Sequence, residues 1–263
     1  MLQEPAKTER KPILVFLPGI GANHRLFRHQ AEVFPNSHAA DWIDPLPDEL
    51  LEQYAVRLAE TIRVELEQRQ PAPIIVCGVS LGGMIAPYVA RKLDAMGCVL
   101  LGSIRSPKEF PRWCYFDWWF MRHCFPLRVA RIFMLQLGAK LLLLVPGLRR
   151  RFIEFEVGQQ MTEIPTRRFA GLSRMMFDWA YRHREKTEEP VFSGLTLQIH
   201  GTCDLLLAMR RTTPDIRIPG GGHTLTLTHP KEVNETIERF VAQIVDSTNH
   251  CCEAGIQREM SLP

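Results

Sequence analysis

The segment with the most chemical content surrounds Ser80. Residues 78–82 read Gly-x-Ser-x-Gly, with the apolar run Ile74–Cys77 before them and Met84–Arg91, typical of a helix, after them. A serine on a tight turn from strand to helix has its hydroxyl lifted clear of the backbone, where helix-terminal N–H groups can meet a developing anion. Because the motif fixes few positions, a glycine-rich turn with an incidental serine is the alternative interpretation.

Two further loops carry groups that would activate such a serine. Asp204 follows the apolar segment Leu195–Gly201, and His223 follows three glycines after the short segment Asp215–Ile218. A serine hydroxyl becomes a good nucleophile when a histidine takes its proton, and a carboxylate orients that histidine and stabilises its charged form. The order Ser, Asp, His along the chain is the order used by enzymes with a nucleophile elbow.

Several of these residues have plainer interpretations. Asp204 is alternatively a turn aspartate, and His229 is best explained as the start of a helix at Pro230.

Gly19 and Gly21 follow the apolar run at residues 11–17, and glycine backbone can approach a ligand closely. We therefore predict that these two glycines contact substrate.

Apolar segments alternate with helical patterns along the chain. The helical pattern at residues 51–66 predicts a helix with Asp48 as its N-cap. Apolar runs predict strands near residues 11–17, 38–42, 74–77, 97–102, 195–201 and 215–218. This alternation favours an α/β fold in which helices flank a mostly parallel central sheet. In such sheets, active groups collect at the carboxyl ends of the strands.

Residues 107–190 differ from the rest of the chain. They are helical in pattern, rich in aromatic residues, and contain more Lys and Arg than Asp and Glu. We interpret them as a helical cap inserted into a core formed by residues 11–106 and 191–246. Trp113 and Trp118 are candidate substrate contacts in this cap, although aromatic clusters more often belong to a core. Residues 247–263 show no clear pattern, and we predict a disordered tail.

The composition limits the class of protein. The 263 residues are 46% hydrophobic and 23% charged, and a net charge of +3 is too small to indicate nucleic-acid binding. The polar residues 1–12 lack the apolar core of a signal peptide, and seven cysteines show no metal-ligand spacing. These features predict a cytoplasmic protein with reduced thiols, and they imply neither a metal nor an organic cofactor.

One apolar stretch raises the question of a membrane. Residues 129–148 contain Arg131 and Lys140, and interior cations are costly near the centre of a bilayer. We therefore predict no integral membrane span but a buried or surface helix. Contact with a membrane surface is the alternative.

Considered together, these motifs resemble those of the α/β-hydrolase superfamily. The resemblance extends over about residues 11–245. It rests on residues 17–21 (Leu-Pro-Gly-Ile-Gly), 78–83 (Gly-Val-Ser-Leu-Gly-Gly), 200–204 (His-Gly-Thr-Cys-Asp) and 220–223 (Gly-Gly-Gly-His). These four motifs occur in the order found in the superfamily.

The resemblance implies a role for each candidate residue. Ser80 would be the nucleophile, His223 the general base and acid, and Asp204 the acid that orients the histidine. The backbone N–H groups of Ile20 and Leu81 would form the oxyanion hole, and residues 107–190 would be the cap.

The sequence departs from the superfamily pattern in two places. Residues 17–19 are Leu-Pro-Gly where many members have His-Gly, so the loop offers backbone donors but no histidine. Little chain precedes Lys11, so we expect a sheet of about six strands that lacks the first two strands of the full fold.

These inferences predict a capped serine hydrolase that acts on a small molecule through an acyl-enzyme. A small or medium carboxylic ester is the expected substrate, because esters need the least help to their leaving group. Thioester, amide and C–C bond hydrolysis are alternatives on the same residues. A non-catalytic binding protein on this fold is a further alternative, since a fold does not determine function. A membrane-surface protein is another, and the oligomeric state is left open.

Overall fold

One open sheet of parallel strands is the centre of the molecule. The computed structural model describes residues 11–111, 157–184 and 191–259. Within them, the strands are β1 (Ile13–Leu17), β2 (Ser37–Ala39), β3 (Ile74–Val79), β4 (Gly97–Leu101), β5 (Leu195–Gly201) and β6 (Ile216–Ile218). Their spatial order is β2-β1-β3-β4-β5-β6, and every neighbouring pair is parallel. The predicted α/β fold with a mostly parallel sheet of about six strands is confirmed.

The register of the inner strands aligns their carboxyl ends. Leu17 of β1 pairs with Gly78 of β3, and Val79 of β3 pairs with Leu101 of β4. Leu101 in turn pairs with Ile199 of β5. The loops that leave these strands therefore emerge side by side at one edge of the sheet.

Helices cover both faces of the sheet, which explains why its inner strands are apolar on both sides. The helices of the described residues are α1 (Arg28–Val33), α2 (Leu51–Leu66), α3 (Leu81–Lys92), α4 (Val157–Glu163), α5 (Thr166–Arg182), α6 (Leu225–Thr228) and α7 (Pro230–Glu259). Side chains of α2, α3 and α5 form one core with the sheet, and side chains of α6 and α7 belong to a second core on its other face. None of the described helices is long and apolar enough to cross a membrane.

Two predictions about helix ends are wrong. Helix α2 begins at Leu51, because Asp48 has a φ of 53° and its carboxylate pairs with Arg174 of α5 instead of capping the helix. The last helix continues to Glu259, so residues 247–259, predicted as a disordered tail, are helical. Apolar periodicity reports burial, whereas an established helix continues with one more hydrogen bond per residue until something breaks it.

The region predicted as a cap is described in part. A 3₁₀ turn at Pro107–Glu109 and helices α4 and α5 lie between β4 and β5 along the chain. Trp113, Trp118 and the apolar stretch at residues 129–148 lie outside the described residues. The predicted substrate contacts of the two tryptophans and the membrane-surface alternative therefore remain predictions.

Ion pairs tie helix α5 to the segment at residues 44–52. The basic partners lie on α5 or directly after it, and the acidic partners lie in or beside the loop that leads into α2. The pairs are Arg168–Asp44 (2.6 Å), Arg174–Asp48 (2.8 Å), Arg182–Glu52 (3.1 Å) and His183–Glu52 (2.8 Å). On the same helix, Leu172, Met175 and Trp179 are buried in the core. Ion pairs and apolar packing together thus hold α5 against the rest of the described structure.

Candidate active site

Ser80 occupies a strained turn between β3 and α3. Its backbone has φ 54° and ψ −117°, a conformation that non-glycine residues rarely adopt outside functional sites. A Cβ atom at Gly78 would lie 2.3 Å from the carbonyl oxygen of Gly82, and one at Gly82 would lie 2.2 Å from the carbonyl oxygen of Leu17. The glycines of the motif are therefore required, because the turn folds back on itself and packs against the end of β1.

Asp204 and His223 form a direct pair at the ends of β5 and β6. Nδ1 of His223 lies 2.8 Å from Oδ2 of Asp204. The other carboxylate oxygen accepts the N–H groups of Leu206 and Leu207, each at 2.9 Å. An ionised carboxylate only accepts hydrogen bonds, so Nδ1 of His223 carries the proton and Nε2 is free to accept one.

The environment of Asp204 keeps its carboxylate charged. Burial by itself raises the pKa of Asp204. The hydrogen bond from His223 and the positive charge of this histidine in its protonated form lower that pKa. The backbone N–H of Leu207 lowers it further, and the net pKa lies below the usual aspartate value. The side chain of Asp204 is fully shielded, whereas that of His223 is 17% exposed. The histidine can therefore meet a ligand, and the aspartate cannot.

The end of β4 brings Ser80 and His223 into the same neighbourhood. The N–H of Ser80 donates to the carbonyl oxygen of Leu101, the last residue of β4. Gly102 follows with φ 50°, and a Cβ atom there would lie 2.8 Å from the carbonyl oxygen of His223. No hydrogen bond joins Ser80 to His223 among the described residues.

The loop after β1 lies against Ser80. A Cβ atom at Gly19 would lie 3.4 Å from Cβ of Ser80. Leu81 is the first residue of α3, so its N–H has no partner within the helix and adds to the positive end of the helix dipole. Within the described residues, neither this N–H nor that of Ile20 donates to a backbone acceptor. Their predicted part in an oxyanion hole remains a prediction.

Trp42 fixes the loop, a role that the sequence did not indicate. Its buried indole N–H donates to the carbonyl oxygen of Gly19 at 3.1 Å. That bond restrains the peptide that leads into Ile20. A buried tryptophan is expected to find a hydrogen-bond acceptor, but sequence alone does not indicate which carbonyl it meets.

Helices α4 and α5 contact the same loop. A Cβ atom at Gly21, which has φ 78°, would lie 3.2 Å from Phe169 and 3.4 Å from Met161. The N–H of Asn23 donates to Oε1 of Gln160 at 2.9 Å. The region inserted between β4 and β5 therefore contributes apolar side chains beside Gly21, in the same loop as Gly19.

His200 is a second residue whose role was not predicted from the sequence. It is fully buried, with Nε2 2.6 Å from the carbonyl oxygen of Leu207 and 3.4 Å from Oδ2 of Asp204. It therefore closes the turn that presents Asp204. The sequence does not single out this role, because Thr196 and Gln198 of the same strand are also polar.

A cavity of about 540 Å³ lies beside helix α3, away from these residues. Its described lining includes Met84, Tyr88, Ile104, Trp179 and Phe192. Ser80, Asp204 and His223 are not among its lining residues, so this cavity does not contain the candidate catalytic residues.

Comparison with known proteins identifies the family. The sequence profile of the alpha/beta hydrolase family matches residues 14–236, while no curated protein matches the sequence. Three similar solved structures are a thermophilic esterase from Thermogutta terrifontis, MenH from S. aureus and a hydrolase from Pseudomonas aeruginosa PA01. Their identities to this chain are 19%, 17% and 16%, and their TM-scores are 0.63, 0.61 and 0.60.

These structures match the chain over most of its length. The matches cover 89%, 92% and 88% of this chain, and 90%, 97% and 90% of the other chains in the same order. At such low identities they show a shared fold and nothing finer. The profile match covers most of the sequence and confirms the resemblance inferred from four motifs, so the chain belongs to the alpha/beta hydrolase family.

Proposed function

We propose that this protein is a serine hydrolase that cleaves a small or medium carboxylic ester through an acyl-enzyme intermediate. The observation that carries the proposal is the pairing of His223 with Asp204 beside the strained turn of Ser80. Family membership supports hydrolase activity in general. The choice of nucleophile, bond and intermediate goes beyond that and is our inference.

Each residue has a defined part in the proposed reaction. Oγ of Ser80 attacks the carbonyl carbon of the ester, and Nε2 of His223 takes the hydroxyl proton. Asp204 stabilises the resulting imidazolium. The N–H groups of Ile20 and Leu81 hold the negative oxygen of the tetrahedral intermediate.

Collapse of that intermediate breaks the bond to the alcohol and forms the acyl-enzyme. His223 returns the proton to the departing alkoxide. Water then attacks the acyl-enzyme with His223 again as base, and the carboxylic acid leaves as Ser80 recovers its proton. The cycle needs no group beyond these residues, the substrate and water.

The preference for an ester depends on the chemistry of the leaving group and on the names of two similar structures. An alcohol leaves more readily than an amine, so an ester requires less protonation of its leaving group. Two similar structures are esterases by name, from Thermogutta terrifontis and from Exiguobacterium antarcticum. Thioester, amide or C–C bond hydrolysis uses the same residues, and a non-catalytic binding protein on this fold is the alternative of a different class.

A substrate panel tests the proposal. Purified protein and Ser80→Ala are assayed with p-nitrophenyl esters of increasing acyl length, with an acyl thioester and with an acyl anilide. We expect the wild type to hydrolyse esters of short or medium length best, and Ser80→Ala to be inactive. Ser247→Ala, a change far along the chain in α7, serves as control. Equal ester hydrolysis by wild type and Ser80→Ala would contradict the proposal. Faster turnover of the thioester than of any ester would indicate that the substrate is a thioester instead.

A further inference from the structure

Behind the turn of Ser80 lies a buried hydroxyl that the proposed mechanism does not use. Ser103 follows the end of β4 and is fully buried. Its Oγ donates to the carbonyl oxygen of Ser80 at 2.6 Å. A buried polar group is costly unless it is hydrogen-bonded, and this one is satisfied by the residue proposed as nucleophile.

The carbonyl of Ser80 and the N–H of Leu81 belong to the same peptide group. This carbonyl oxygen accepts from Oγ of Ser103 and also from the N–H of Met84 at 3.1 Å, the first hydrogen bond of α3. Two donors at the oxygen fix the plane of the peptide and therefore the direction of its N–H. They also draw electron density towards the oxygen, which makes the N–H a stronger donor.

Ser103 is itself held rigidly. Nε2 of Gln198, a fully buried residue of β5, donates to the carbonyl oxygen of Ser103 at 2.9 Å. On the other side, a Cβ atom at Gly83 would lie 2.4 Å from Cβ of Ser103, so the glycine makes room for this contact. Strand β5 thus supports the turn of Ser80 through two buried hydrogen bonds in series.

We infer that Ser103 is a positioning residue for the oxyanion hole. Its hydroxyl orients and polarises the peptide between Ser80 and Leu81, so that the N–H of Leu81 points to the developing anion before substrate arrives. Electrostatic stabilisation is most effective when its donors are already in place in this way. The inference depends on the proposed function, because an oxyanion forms only if Ser80 attacks a carbonyl.

Kinetics of Ser103→Ala test this inference. The lost hydrogen bond acts on the tetrahedral intermediate and not on the bound ester, so we expect kcat to fall about three- to ten-fold with KM unchanged. Affinity for an alkyl boronic acid, which forms a tetrahedral adduct on the serine, should fall by a similar factor. The pH dependence of kcat/KM should keep its shape, because His223 and Asp204 are untouched.

Thr236→Ala is the matched control. Thr236 in α7 is also buried, and its hydroxyl donates to the carbonyl oxygen of Glu232 at 2.7 Å. Its removal should lower stability but leave kcat unchanged. Should Ser103→Ala fail to fold, Ser103→Cys retains a weaker donor and is expected to lower kcat in the same way.

The outcomes separate the two proposals. A folded Ser103→Ala variant with wild-type kcat, or one in which only KM rises, overturns the role of Ser103 and leaves the proposed function intact. A folded wild-type protein that hydrolyses no substrate of the panel, and whose Ser80 does not react with a small fluorophosphonate, overturns the proposed function itself.

Discussion

The carboxylate of Asp204 is shielded from water and is still ionised, because several donors converge on it. His223 contacts one oxygen at 2.8 Å, and two backbone N–H groups contact the other. The pKa of Asp204 is held below its usual value despite the opposing effect of burial. At neutral pH this charge fixes the tautomer of His223 and would stabilise its protonated form.

Replacing Asp204 with Asn tests this electrostatic role. The amide is nearly the same shape but carries no charge and favours the wrong tautomer of His223. We expect kcat/KM to fall by about 10³- to 10⁴-fold on the best ester of the panel. Asp41→Asn, which changes an exposed aspartate paired with His24, should leave kcat/KM within about two-fold. An Asp204→Asn enzyme with near wild-type kcat/KM would exclude Asp204 as the orienting acid.

Gly82 tests the geometry of the turn in a way that does not depend on catalysis. Alanine at this position would push its Cβ into the backbone of Leu17, at 2.2 Å. Backbone cannot move aside cheaply, so we expect Gly82→Ala to lower the free energy of unfolding by about 2 kcal/mol or more. Urea denaturation followed by circular dichroism measures the loss.

The matched control is another glycine of the site. A Cβ atom at Gly222 meets no atom within 4 Å, and its backbone is not in the left-handed region. Gly222→Ala should therefore change the free energy of unfolding by less than about 1 kcal/mol. If both variants were equally stable, the close packing of the turn against β1 would be wrong.

At the scale of elements, Glu52 is the clearest anchor of helix α5. Burial raises the pKa of Glu52, but hydrogen bonds from Arg182 and His183 and the charge of Arg182 lower it below the usual glutamate value of 4.5. A carboxylate whose pKa is lowered by folding stabilises the native state above its unfolded-state pKa. That contribution is lost as the pH falls through the lower pKa of the folded state.

Glu52→Gln should therefore destabilise the protein in a pH-dependent way. At pH 7 we expect the free energy of unfolding to fall by about 1 kcal/mol, since the ion pairs are partly exposed. The difference from the wild type should shrink once the pH is taken below 4.5. Glu60→Gln, which affects an exposed pair with Lys92, should cost less than about 0.5 kcal/mol. A difference that stayed constant with pH would argue against this anchor.

The strands and helices could largely be predicted from the sequence, whereas two helix ends could not. Runs such as Gly97–Leu101 are apolar on both faces because helices cover both sides of the sheet, so their pattern is local and strong. The start of α2 depends on Asp48, whose carboxylate pairs with Arg174 far along the chain. No local pattern predicts such a partner.

For the whole molecule, the parallel sheet explains why residues far apart along the chain could be grouped from the sequence alone. Ser80, Asp204 and His223 each follow a strand, and the strands end at the same edge. The residues that support the loops of the site could not be predicted, because no local pattern identifies their partners. Trp42 and Ser103 act through a single hydrogen bond to a carbonyl of another loop, and only the three-dimensional register shows which carbonyl that is.

The central claim is that Ser80 is an activated nucleophile, and covalent labelling tests it most directly. The folded protein is treated with a small fluorophosphonate, and intact mass and peptide mapping locate the adduct. We predict one adduct, on the peptide that contains Ser80, with none on Ser80→Ala and normal labelling of Ser247→Ala. Folded wild-type protein that takes up no label, or is labelled at another residue, would contradict the account.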